Sequence, residues 1–158
     1  KLIHHLRQHS KTGVLSEKFI YSAQEHGTPN YEAVERTLKG KEEKLANGIT
    51  FQDKDGTIRT EARTKWWLPG TDYTFDEYIF GDIDELKGKR IPEGTFKDAT
   101  GYSEHDIPVF FGHYWLKGEP ALQSDNVICL DYSIAKGGKL VSYRYNGERV
   151  LKLDSLIF

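Results

Sequence analysis

Apolar and polar positions divide the chain into a helical front, a broken middle and a β-rich end. Leu15-Ser16-Glu17-Lys18-Phe19-Ile20-Tyr21-Ser22-Ala23 reads as a short helix, with Ser16 as N-cap and Gly27 as its stop. Asn30 precedes Tyr31–Leu38, where apolar residues at 31, 34 and 38 keep helical spacing up to Gly40. A further short helical piece is expected over 41–46, before Asn47-Gly48. Ile49-Thr50-Phe51 and Thr57-Ile58-Arg59 then alternate around Asp53-Lys54-Asp55-Gly56, which predicts a hairpin turning at Asp-Gly. A calcium loop counted from Asp53 would need a bidentate Glu where Thr64 stands, so the two aspartates read as turn residues.

Residues 69–106 are polar and interrupted by Pro69, Gly70, Gly81, Gly88, Pro92, Gly94 and Gly101. They are expected to form a long connection with one short ordered stretch near Phe75–Phe80. From 107 the pattern turns to β. Ile107–Phe111, Val127–Ile134 and Lys139–Tyr145 read as strands, with Val141, Tyr143 and Tyr145 on one face. Asn146-Gly147 signals a tight hairpin into a last strand over Arg149–Leu153. The prediction is an α+β chain: a helical and hairpin-containing lobe over 1–67, the connection over 69–106 and an antiparallel meander over 107–158. Internal repeats and low-complexity segments are absent from the sequence.

Composition narrows the classes. The 158 residues, near the usual size of one domain, are 37% apolar and 13% aromatic, so rings rather than aliphatics must supply much of the core. With 24 acidic and 22 basic residues the net charge is −2, which argues against a general binder of DNA or RNA. No apolar run approaches the ~18 residues that span a bilayer, and KLIHHLRQHSKTG lacks the apolar centre of a signal peptide. Cys129 stands alone within NVICLDYS and reads as a small core residue in a reducing compartment, the cytoplasm. The chain contains no Met and starts at Lys1, so a piece of a longer product is expected.

Among the histidines, His5 and His9 have the i,i+4 spacing of a metal chelate, with His4 beside them, but no zincin-type Glu or third ligand accompanies them. A surface helix face is the simpler reading. His26 and His105 carry no signal by themselves. His113 differs, because it follows an apolar strand and a glycine in Pro108-Val109-Phe110-Phe111-Gly112-His113-Tyr114-Trp115. A strand end with glycine beside it is where α/β enzymes project a ligand or base, and equally where a structural histidine finds a partner.

The stretch FFGHYWLKGEP followed by NVICLDYSIAKGGKLVSYRYNGE resembles the C-terminal end of calcineurin-like metallophosphoesterases, more narrowly a bacterial diadenosine tetraphosphatase-like or serine/threonine phosphatase-like branch. Gly112-His113 matches that superfamily's late Gly-His motif, and Asp131-Tyr132-Ser133 with Gly137-Gly138-Lys139-Leu140 matches the strand turn after it. The resemblance extends upstream through Tyr31–Glu35, Leu38–Gly40, Phe51–Gly56 and Arg63–Trp67, and is weakest over 69–106. The superfamily's D-x-H, GDxxDR and GNH(D/E) motifs do not occur here, and Tyr114 stands where a second histidine is frequent.

The resemblance implies the closing half of an enzyme in which two divalent cations (manganese, iron, zinc or cobalt) activate a hydroxide for attack on phosphorus. It implies His113 as a metal ligand and Asp131 as the acceptor behind it, although a strand-end carboxylate is an equal reading of Asp131. It implies half of a two-sheet β-sandwich for the meander, with an uncovered edge or face prone to self-association. One histidine cannot hold two metals, so the chain alone is expected to be inactive and to bind no metal stably.

The cations Lys39, Lys54, Arg59 and Arg63, near Trp66 and Trp67, are candidates to bind a phosphate-containing small molecule, a nucleotide in the first instance. The other reading is a solvated face of mixed charge over two core tryptophans. The expected activity is hydrolysis of dinucleoside polyphosphates. The alternatives are a serine/threonine protein phosphatase-like enzyme and a non-catalytic binding or regulatory module.

Overall fold

The structure, a computed structural model, describes residues 2–10, 13–45, 48–52, 56–70, 72–81, 83–96 and 99–158. It divides into two compact units, Lys1–Lys41 and Glu42–Phe158, so the division falls earlier than the expected boundaries near 67 and 106.

The first unit holds three helices, α1 (Leu2–Gln8), α2 (Glu17–Ser22) and α3 (Pro29–Lys39). Ser16 caps α2 as expected, its hydroxyl accepting the Phe19 N–H at 3.3 Å. The helix stops at Ser22 rather than running toward Gly27. The Ser22 hydroxyl donates to the Phe19 carbonyl at 2.9 Å, and the Thr28 hydroxyl donates to the Ser22 carbonyl at 3.1 Å. Such side-chain bonds compete with the next helical turn. Thr28, not Asn30, caps α3, with Pro29 in the first turn. Asn30 instead donates to Ser22 Oγ at 2.6 Å and meets His5 Nε2 at 2.6 Å, tying the three helices together. The fully buried residue of α3 is Ala33, while Leu38 is exposed. The 31/34/38 spacing therefore located the helix but not its buried face.

In the second unit, Glu42–Lys44 forms a strand, β1, in place of the expected helical piece. It pairs antiparallel with β4 (Glu61–Arg63), with Glu43 opposite Ala62, and the ladder continues as Leu45 N–H bonds the Thr60 carbonyl. Burial of Leu45 and Ala62 in a shared core outweighs the helix preference of the Glu and Lys residues. The predicted hairpin forms inside this pair: β2 (Phe51–Gln52) lies antiparallel to β3 (Ile58–Arg59). Its turn residues Asp53, Lys54 and Asp55 lie outside the described residues.

The segment 69–106 is the main departure from expectation. Instead of a bare connection it supplies Phe75, Tyr78, Ile79, Ile83, Leu86 and Phe96 to a core shared with Leu45 and Ala62. Helix α4 (Phe75–Tyr78) starts in a capping box, where Glu77 Oε2 accepts both the Thr74 N–H and the Thr74 hydroxyl at 2.8 Å. At its other end the Lys65 ammonium donates to the carbonyls of Asp76 and Glu77 at 3.1 and 2.7 Å.

The C-terminal segment is β-rich but is not an antiparallel meander. β5 (Val109–Phe111) pairs in parallel with β6 (Val127–Cys129), which is fully buried. A parallel pair needs a long return, and residues 112–126 provide it. β7 (Asp131–Tyr132) and β8 (Lys139–Leu140) are antiparallel. The last strand is not Arg149–Leu153 but β10 (Leu156–Ile157), antiparallel to β9 (Ser142–Tyr143). The Glu148 carboxylate explains the shift: it accepts both the Tyr143 hydroxyl and the Asn146 N–H, and Leu151 N–H turns away to the Asp125 carbonyl. Val141 is buried and Tyr145 exposed, so they do not share one face. Among the described residues the strands form two-stranded pairs rather than half of a sandwich, and no helix is long and apolar enough to cross a membrane.

Candidate functional site

Strand β5 ends on Gly112-His113, and β6 runs alongside it as the most buried strand of the unit. Beneath the turn lies a ring cluster. Tyr114 is 1% exposed and packs edge-on against Phe111 and Phe80, while Trp67 stands 5.7 Å from it between ring centres. Trp66 meets Trp67, Tyr102 and Phe111. Both tryptophans serve the core, rather than an open stacking surface. The Tyr114 hydroxyl donates to the Thr64 carbonyl at 2.8 Å, and burial pushes its pKa far above that of an ordinary phenol. Tyr114 is therefore a neutral anchor.

On this anchor the backbone is forced into left-handed geometry. His113 has φ 68° and Trp115 has φ 47°, and across the turn Ser133 has φ 59°. A left-handed backbone at a bulky residue such as Trp costs about 1–3 kcal/mol and persists only where surrounding bonds fix it. Asp131 provides two of those bonds: Oδ2 accepts the His113 N–H at 2.9 Å, and Oδ1 accepts the Ser133 N–H at 3.1 Å. Leu116 N–H adds a bond to the Asp131 carbonyl at 2.9 Å.

The predicted site residues separate accordingly. His113, Asp131 and Arg63 are brought together. Arg63 Nη1 donates to the His113 carbonyl at 3.4 Å, and Nη2 donates to Glu42 Oε1 at 2.7 Å. Its guanidinium thus braces the turn from below. The Asp131 carboxylate accepts the His113 backbone N–H. Arg59 is exposed on β3 opposite Phe51, Lys39 is ion-paired with Glu35 at 2.6 Å on α3, and Lys54 lies outside the described residues.

Two further sequence candidates resolve clearly. His5 and His9 pack ring against ring at 5.0 Å, and His9 rests on Phe19 at 4.9 Å. Cys129 is fully buried on β6, and burial pushes its thiol up to about 11, so it is a core residue and a poor nucleophile.

A cleft of ≈ 430 Å³ that sequence reasoning missed lies beside the His113 turn, between Leu116–Glu119 and Tyr132–Lys139. Lys117, Lys136 and Lys139 line it. The Lys136 ammonium sits 4.4 Å over the Trp115 ring, whose centre is 5.4 Å from that of His113. Gly138 closes the floor, where a Cβ would overlap the Tyr132 carbonyl oxygen. The available signal was the lysines set against glycines in Leu116-Lys117-Gly118 and Lys136-Gly137-Gly138-Lys139.

Among the described residues no three His, Cys, Asp or Glu side chains converge on one point, and both oxygens of Asp131 already accept backbone N–H groups. What the chain offers is one imidazole on a braced turn beside a lysine-lined cleft. No protein-family profile matches the chain, and neither a curated protein nor a solved structure matches it.

Proposed function

We propose that the chain is the C-terminal part of a metal-dependent phosphohydrolase acting on dinucleoside polyphosphates in the cytoplasm. The observation that carries this reading is the His113 turn: three non-glycine residues in left-handed geometry, fixed by Asp131, Arg63 and Tyr114, at the end of a buried strand. Strain maintained by dedicated bonds at a surface turn is the mark of a placed side chain. The Gly-His and GGKL sequence resemblance gives that side chain its chemistry.

In this reading His113 is the ligand that this chain contributes to the metals, and residues outside these 158 complete the set. Asp131 and Arg63 are positioning residues: one holds the N–H and the other the C=O of His113, so its Cα–Cβ bond keeps one direction. The phosphate-bearing substrate is a small molecule, not DNA, RNA or a membrane surface. Self-association through the exposed Leu140, Tyr145, Ile157 and Phe158 belongs to the same proposal.

The test compares the longer protein with the 158-residue chain, each supplied with manganese and diadenosine tetraphosphate. The proposal expects hydrolysis by the former and none by the latter. Turnover by the 158-residue chain, or none by the longer protein across divalent metals and phosphate substrates, contradicts it.

A further inference from the structure

The lysine-lined cleft beside His113 has an assembly of its own. One wall, Leu116–Glu119, leaves the His113 turn directly. The other, Tyr132–Lys139, is a tight 3-10 turn in which Lys136 and Gly138 N–H groups both bond the Ser133 carbonyl. The two walls are tied at the base, where the Ser133 hydroxyl donates to the Leu116 carbonyl at 3.3 Å. They are tied again at the rim, where the Lys139 ammonium contacts both oxygens of Glu119 at 2.6 Å. Lys117 has no ion-pair partner among the described residues and lines the same space. Lys136 is held over Trp115 rather than beside a carboxylate. The cleft therefore has three ammonium groups against one carboxylate, on a chain whose overall charge is −2. Such a local excess favours an anion with several charged oxygens.

We infer that this cleft is a binding subsite for the oligophosphate part of a ligand, engaged by Lys117 and Lys136, with the Glu119 carboxylate, paired to Lys139, acting as a competing internal anion at its rim. The inference rests on the phosphohydrolase reading only for its biological use. The binding itself needs no metal and no turnover. With Asp131 bonded to both the His113 and Ser133 N–H groups, the subsite and the histidine are held by one carboxylate, at a fixed offset.

The test is titration of the chain with sodium tripolyphosphate and, separately, ATP, without divalent metal. It is followed by calorimetry and by the amide resonances of Ser133, Gly137 and Gly138. The inference expects saturable binding with shifts at those amides. Lys117→Gln and Lys136→Gln should each weaken it by about 10-fold, the scale of one charge-assisted contact. Lys89→Gln, an exposed lysine that does not line the cleft, should leave it unchanged, and Glu119→Gln should tighten it several-fold, on the order of the loss of one like charge. ATP binding more tightly than tripolyphosphate, with added shifts at the Trp115 indole, assigns the site to a nucleotide. Equal affinity assigns it to the bare oligophosphate. Absence of binding, or binding indifferent to Lys117→Gln and Lys136→Gln while the variants stay folded, overturns the inference. Saturable binding to the chain, weakened by Lys117→Gln and Lys136→Gln, while the longer protein hydrolyses no phosphate substrate would retain the subsite and refute the phosphohydrolase reading.

Discussion

Two regions of the second unit use their polar groups in opposite ways. Around α4, each polar group named above closes a local structural need: Thr74 and Glu77 cap the helix start, Lys65 its end, and Asp76 takes the Gly88 N–H at 2.8 Å. Around His113 the bonds hold a costly backbone in place, and lysines are gathered beside it. The first region stabilises the fold. The second is stabilised by it, since Tyr114 reaches Thr64 and Arg63 reaches the His113 carbonyl from β4 and the residue after it. Regions that cost stability yet are held by dedicated contacts are where function is expected.

Core truncation should break the comparison most strongly. Phe75, 1% exposed and packed against Phe96, should lose about 3–5 kcal/mol as Phe75→Ala in urea unfolding. A loss below about 1 kcal/mol would mean that the 69–106 core is not a true core. Asp131→Asn should cost less, about 1–3 kcal/mol. An amide has one acceptor oxygen, so either the His113 or the Ser133 N–H loses its partner. Faster hydrogen exchange at one of those two amides is the check, and unchanged exchange at both would remove Asp131 from its bracing role.

His113→Gly should act in the opposite direction. Glycine accepts φ 68° without a side-chain clash, so unfolding should show stability held or raised, by up to about 1 kcal/mol. A clear loss would show that the imidazole serves the fold.

The smallest effect is acidic softening. The Asp76 carboxyl is held below its ordinary 3.8 chiefly by the Gly88 N–H, Glu77 below 4.5 by the Thr74 N–H and hydroxyl, and Glu148 below 4.5 chiefly by the Tyr143 hydroxyl. Depressed folded-state values contribute stability that is fully present above 4.5 and lost as the pH falls through the lower folded values. The Tm of Glu77→Gln should therefore depend less steeply on acid than that of the unaltered chain. Parallel curves would deny Glu77 its cap.

The same contrast explains what could be read in advance. The Ser16 cap, α3, the 51/58 hairpin and the burial of Cys129 follow from local spacing and turn chemistry, and each is found. The 69–106 core is scattered among breakers, so Phe75, Ile83 and Phe96 share no period. Glu42–Lys44 became a strand because its partner lies at 61–63, far along the chain. The strand ahead of His113 was legible in Ile107–Phe111 and is found as Val109–Phe111. The cleft was not, because its two walls meet only after the parallel return through 112–126.

In the proposed function the His113 turn is maintained for its side chain. Asparagine tolerates left-handed backbone, so His113→Asn removes the imidazole while keeping the turn. Its most direct test is turnover of diadenosine tetraphosphate by that variant in the longer protein. The account predicts a fall beyond the roughly 10–100-fold that loss of a metal ligand's outer partner costs, with folding intact. Turnover near that of the unaltered protein would contradict it.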